Sequence, residues 1–393
     1  LVAHRRLLEW SPSEALGHNG RTGLVTFCRT MWIAPIIATA AVIYLTLSRS
    51  PALDVALPIL GLWFVSPAIA WWISQPLARR RARLSADQTI FLRKISRKTW
   101  AFFETFVGPE DHWLPPDIYQ EHPVAGVGHR TSPTNMGLAL LANLSAYDFG
   151  YISAGQLIER TANALKTMET MERHRGHFYN WYDTQSLKPL HPMYISTVDS
   201  GNLAAHLLTL RPGLLALSDQ KILGARFFDG LSDTLQILMD AAKGSTLAQL
   251  AQLQKDLGSA SYSRPTTLEA ARLYLIRLAT SAAEVVNGVD SDPESQAKWW
   301  ALAFARQCQD AIDELTFLAP WIVLPATTDR LHDFPGIGEI PTLRELARLE
   351  LELLPAIEHR LGLDATPEES AWLDELRRLI TEASYRARTR IAA

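Results

Sequence analysis

Two cysteines in 393 residues, Cys28 and Cys308, with no Cys-x-x-Cys pair, exclude a disulfide framework and a structural zinc site, and fit a reducing compartment. Positive charge is not in excess either. Lys and Arg total 38 against 41 Asp and Glu, a net charge of −3, so nucleic acid is not the expected partner. Common catalytic signatures are also missing: there is no Gly-x-x-x-x-Gly-Lys-[Ser/Thr] phosphate loop, no dinucleotide-binding glycine pattern, no His-Glu-x-x-His and no Gly-x-Ser-x-Gly elbow. The opening "LVAHRRLLEW" is too polar for the apolar core of a cleavable signal peptide. The chain starts at Leu1 and trails off in "RARTRIAA", and reads as a piece of a longer polypeptide.

What the chain does have near its start is two uncharged runs. Thr30 to Ser48 (19 residues) lies between Arg29 and Arg49, and Val55 to Ala78 (24 residues) lies between Asp54 and Arg79. A spanning helix needs about 20 apolar residues, so both are long enough. Pro35, Pro51, Pro58 and Pro67 are better tolerated in membrane helices than in soluble ones. Trp32, Trp63, Trp71 and Trp72 stand near the ends, as interface anchors do. The short link "RSPALD" predicts a hairpin. Arg5, Arg6, Arg21 and Arg29 before it and Arg79, Arg80, Arg81 and Arg83 after it place both flanks in the cytoplasm. A buried soluble helix pair is the alternative; the second run has no polar face, which favours the membrane. The expected organisation is a lead-in over 1–29, a two-helix membrane hairpin over 30–83, a first helical region with binding loops over 84–213, and long charged amphipathic helices over 214–393.

After Arg83 the apolar period is 3.6 nearly throughout, and the class is all-α. Ser132 as N-cap with Pro133 at the first helical position starts one helix. Ser153 with Gln156 forms a capping box for the next, and a third is predicted from about Ser200 to Leu210, stopping before Pro212-Gly213. Further helices are expected over 219–242, 246–257, 266–286, 293–318, 341–361 and 367–388, with Pro341 and Pro367 at helix starts. "LKPLHPMYIST" is the best candidate for an extended piece.

Four segments between these helices are dense in acids, amides, guanidinium groups and rings: "EDHWLPPDIYQE", "HRTSPTN", "ERHRGHFYNWYDT" and "VDSGNLAAH". This is the vocabulary of a sugar site, because carboxylates, Asn and Arg satisfy hydroxyls that both donate and accept, and an aromatic face packs against the apolar face of a pyranose. The candidate binding residues are Asp111, His112, Trp113, Asp117, Tyr119, Gln120, Arg130, Asn135, Arg173, His174, Arg175, His177, Tyr179, Asn180, Trp181, Asp183, Asp199 and Asn202. Several have a plain structural reading: Asp199-Ser200 as a helix cap, Asn135 as a partner of its helix's first turn, Phe178 and Trp181 as core. His174 and His177 alone, with no second cluster, do not make a metal site. Glu110 and Glu172 are further carboxylates; no residue is assigned a catalytic role.

These segments, in order with "DFGYI" and "LKPL", resemble the central region of bacterial cyclic β-1,2-glucan synthases, densely from about Thr99 to Leu210. The resemblance implies a large inner-membrane protein with its soluble part cytoplasmic. One domain polymerises glucose from UDP-glucose with a divalent metal. A central (α/α)6-barrel closes linear β-1,2-glucan into a ring by retaining transglycosylation, and a phosphorylase-like domain trims it. It further implies that this chain is the hairpin plus part of the cyclising domain, needs no cofactor of its own, and has as partners β-1,2-glucan, the lipid bilayer and the neighbouring domains. The family's catalytic glutamates belong to segments of the types "SEARLASF" and "WGISESAY", neither of which occurs here. A β-1,2-glucan hydrolase and a non-catalytic glucan-binding scaffold remain the alternatives.

Overall fold

The computed structural model describes residues 23–48, 51–74, 84–122, 126–242, 246–262, 265–289, 295–324, 334–362 and 366–393. The chain divides into two compact units, Leu1–Arg83 and Leu84–Ala393.

In the first unit α1 (Leu24–Thr30) and α2 (Ile33–Leu47) meet at a 67° bend, and α3 (Ala52–Ile73) packs against α2. The expected single run over 30–48 is therefore corrected to a broken helix. The break lies at Met31-Trp32 because Pro35 has no N–H to give the Met31 carbonyl and its ring crowds that group. Pro67 removes one backbone bond from α3 without breaking it: the Trp63 carbonyl left without its N–H accepts from Ser66 Oγ at 2.8 Å. Only 6% of the most apolar window of α3 is buried, and it is long and apolar enough to cross a membrane. Ile36, Ile43, Leu57, Ile59, Leu62 and Phe64 are all more than half exposed. The arginines Arg5, Arg6, Arg21, Arg49, Arg79, Arg80, Arg81 and Arg83 lie outside the described residues.

The second unit is mostly helical, as the periodicity predicts. Its first helices are α4 (Ala86–Phe106), α5 (Pro133–Asp148), α6 (Ala154–Thr170) and α7 (Thr197–Ala216). Then come α8 (Ala225–Ala241), α9 (Thr246–Tyr262), α10 (Leu268–Gly288), α11 (Gln296–Leu318), α12 (Leu343–Leu361) and α13 (Pro367–Ala392). Ser132 and Ser153 cap α5 and α6 as expected, the latter in a full capping box. α12 starts two residues after Pro341, capped by Thr342. Two boundaries of α7 differ from expectation. It starts under Ser196, whose Oγ accepts from the Asp199 N–H, so neither Asp199 nor Ser200 is the cap. It also runs through Pro212 to Ala216, across the 213/214 boundary. Leu210 and Leu214 are held in the cores beneath, and Gly213 sits so close to Leu144 that a Cβ would lie 2.5 Å from Cδ2. Packing here outweighs the lost backbone bond. The segment 187–197 forms no strand; Pro189 makes one isolated bridge to Tyr182.

α5 packs on both α6 and α7, and a core of Leu114, Met136, Leu140, Met168, Tyr182 and Leu203 fills the space between them. α4 lies against α8, and α8 against α11, through a buried polar cluster. Arg97 is 1% exposed, with its guanidinium between the Tyr151 and Trp300 rings at 5.4 and 5.0 Å. Its Nε donates to Thr234 Oγ1 at 2.9 Å, and Thr234 donates on to Gln307 Oε1. Glu104 Oε2 is 3.0 Å from an Arg97 terminal nitrogen, an ion pair too poorly angled for a hydrogen bond. Burial also raises the carboxyl pKa of Asp310 on α11, against the lowering effect of the 2.8 Å bond it accepts from Gln156. A carboxyl raised by folding adds stability that is full below its unfolded pKa and is lost as pH rises through the folded value. Asp310→Asn therefore unfolds at higher urea than the parent at pH 7, and the difference vanishes below about pH 3.8, the unfolded value.

Candidate functional site

The loop after α4 turns on Pro109–Asp111 and then places His112 and Trp113 at φ of 54° and 64°. Left-handed backbone at two bulky residues is costly and is held by the surroundings. Asp111, 6% exposed, accepts from Thr184 Oγ1 and, at 2.8 Å, from His129 Nδ1. His112 Nδ1 donates to the Thr184 carbonyl at 2.9 Å. Both acceptors are oxygens, so each imidazole carries its hydrogen on Nδ1 and, when neutral, keeps a lone pair on Nε2.

Strand β1 (Ile118–Gln120) pairs with β2 (Gly126–Gly128), and β3 (Arg130–Thr131) pairs across sequence with β6 (Tyr182–Asp183). The second pairing sets Arg130 beside the aromatic segment. Arg130 donates through Nε and a terminal nitrogen to Asp117 Oδ2, at 3.0 and 2.9 Å, while its guanidinium lies 5.0 Å from the centre of the Trp181 ring. Asn135 donates to the other Asp117 oxygen at 3.2 Å. With its amide oriented to suit its neighbours, Asn180 donates to Asp199 Oδ2 at 3.1 Å and accepts from Trp181 Nε1 and the Tyr194 hydroxyl. Thr134 donates to Asp199 Oδ1 and accepts from Asn202 at 3.1 Å. All four polar-aromatic segments thus meet in one array. α5 and α7 come close enough for this because of Gly137, where a Cβ would stand 2.3 Å from His206 Nδ1.

Not all candidates join it directly. β4 (Arg173–His174) and β5 (His177–Phe178) form an exposed hairpin whose turn residues Arg175 and Gly176 have φ of 51° and 85°, the positive pair a tight two-residue turn requires. His174 and His177 face each other across it. Arg173 is tied back to the Met168 carbonyl at 2.7 Å and lies over Phe178. Beneath the hairpin, buried Tyr182 clamps both legs: its hydroxyl accepts from the Tyr179 N–H and donates to the Glu172 carbonyl, and burial raises its pKa. Tyr179 and Trp113 pack against the core, and Trp113 is covered on one side by Arg160. Tyr119 rests on Phe106, next to Gln120. Asp183 caps its own turn; the Ser186 N–H and hydroxyl hold its carboxyl below the ordinary range. Among the described residues, no three His, Cys, Asp or Glu gather as for a metal ion.

His129, Thr184, Thr134 and Tyr194 belong to the array and are not among the candidates read from sequence. His129 has no local signal, since its partner Asp111 is 18 positions away. The Ser196 cap does have one: Ser-x-x-Asp at 196–199.

No family model matches this chain. Over 242 residues it is 36% identical to the cyclic beta-(1,2)-glucan synthase NdvB of Rhizobium meliloti (strain 1021). The match covers 61% of the chain and 8% of that protein, so the chain spans only a small part of this relative's length.

Proposed function

From the chain's relationship to a cyclic β-(1,2)-glucan synthase, we propose that Leu84–Ala393 forms part of the cleft in which a membrane-anchored synthase holds linear β-1,2-glucan for ring closure. The observation that carries this reading is the convergence of the four segments. Asp117, Arg130, Asn135, Asn180, Trp181, Asp199 and Asn202 form one connected polar surface around an indole that is braced on one face. A glucose unit laid on the other face of Trp181 meets amide and carboxylate groups at its edge. On this reading α5, α6 and α7 are successive helices of an (α/α)-barrel wall, and α2 and α3 anchor the chain in the inner membrane, with the helical unit cytoplasmic.

The carboxylates support binding rather than chemistry. Asp111, Asp117, Asp183 and Asp199 each already accept at least two hydrogen bonds from protein groups. A retaining transglycosylase needs two carboxyls about 5–5.5 Å apart, one of them free to protonate the leaving oxygen. On this reading those groups are supplied from outside this chain. Calorimetry on the full chain in nanodiscs tests the assignment. Linear β-1,2-gluco-oligosaccharides are expected to bind at least tenfold more tightly than β-1,3 isomers of equal length; equal affinities, or no binding, overturn it.

A further inference from the structure

A cavity of about 570 Å3 opens between α6, α7, α12 and the end of α13, and shares no residue with the polar array. That is the scale of a pocket for one small ligand. Its walls are mostly leucine and isoleucine, with Leu165, Leu207, Leu210 and Leu214 among them.

Two polar groups break this surface. Thr161, in the middle of α6, is 3% exposed, and its hydroxyl has no hydrogen-bond partner. Other mid-helix threonines, such as Thr209, Thr280 and Thr316, donate to the carbonyl four residues back. Thr161 does not, so a buried donor stands in the cavity wall without an acceptor, a state that costs free energy unless something fills it. The second group is a cation. Three arginines line the cavity, but Arg344 is held by Asp219 and Ser218, and Arg390 by both oxygens of Glu314. Arg211 makes no ion pair among the described residues.

We propose that this cavity binds a single-acyl-chain amphiphile with an anionic head. The chain lies along the leucines, and head oxygens accept from Thr161 Oγ1 and pair with Arg211. Carboxylate and phosphate heads share this chemistry, so fatty acids and lysophospholipids are both sources. The occupant is an anion because, of the three lining arginines, Arg211 is the one with no ion pair among the described residues. It has a long apolar part because the remaining wall offers little else.

The test uses the full chain in amphipol, free of detergent, titrated with laurate, with 1-lauroyl lysophosphatidate and with uncharged dodecanol. Laurate or the lysophosphatidate is expected to raise the thermal midpoint and to bind at least tenfold more tightly than dodecanol; which of the two binds better identifies the head. Arg211→Gln weakens anion binding at least tenfold, and Thr161→Val weakens it several-fold while leaving the unliganded midpoint equal or higher. Leu165→Trp, which fills the hollow, abolishes binding. Dodecanol binding as tightly as laurate, both polar variants binding like the parent, or no shift with any probe (a cavity that holds only water) each overturns the proposal.

Discussion

Trp181→Ala is expected to lower the affinity for linear β-1,2-glucan about 30-fold, roughly 2 kcal/mol, the loss associated with a buried aromatic anchor. The ring is fixed within the protein itself, by Arg130 5.0 Å from its centre and by the Nε1 bond to Asn180. A fixed platform loses little side-chain freedom on binding, so most of its contact energy appears as affinity. Removing it also leaves Arg130 and Asn180 each short of a neighbour. Trp181→Phe keeps a ring for both the guanidinium and the sugar and loses only the Nε1 donor; its loss is expected to stay below tenfold. The measurement is calorimetric titration of parent and variants, with circular dichroism to establish that the helices are intact. Parent-like affinity in the alanine variant sinks the role assigned to this ring.

Arg97→Ala is expected to cost about 3–5 kcal/mol of stability, the range for breaking a buried ion pair from one side. The side chain bridges α4 to α8, and its loss removes the Thr234 bond, the filling between Tyr151 and Trp300, and the charge opposite Glu104. Arg97→Met restores most of the volume, and Glu104 still has Arg306 at 3.7 Å, so a smaller loss is expected. Urea unfolding followed by helical circular dichroism reads both. Equal midpoints for parent and alanine variant show that the ion pair and its aromatic sleeve contribute nothing net.

The sequence shows helices best where capping chemistry is local. Ser132-Pro133 and Ser153-x-x-Gln156 lie within one turn of the groups they satisfy, so their meaning does not depend on the rest of the molecule. The passage of α7 through Pro212 was not legible, because the compensation comes from Leu144 and the cores under Leu210 and Leu214, all distant in sequence. The bend at Met31-Trp32 was legible in principle: Pro35 stands four residues past the carbonyl it cannot serve. An unbroken apolar run hides that detail. For the candidate site, composition picked out four segments that the fold brings together, and β3–β6 pairing joins two of them. It did not show which of these residues are engaged in holding the loops. Arg173 also closes a helix end and Asp183 its own turn, contacts that a list of polar residues does not reveal.

The bend between α1 and α2 has a consequence for the proposed anchoring. At about 1.5 Å per residue, α2 with its 15 residues is roughly 22 Å long and α3 with its 22 residues roughly 33 Å. The hydrocarbon layer is about 30 Å thick, so the two rods are unequally matched to it. On the proposed anchoring, a bilayer would have to thin around the shorter rod, while the longer one would fit with a slight tilt. Such an uneven pair would then be better matched to thin lipid regions than to thick, ordered ones.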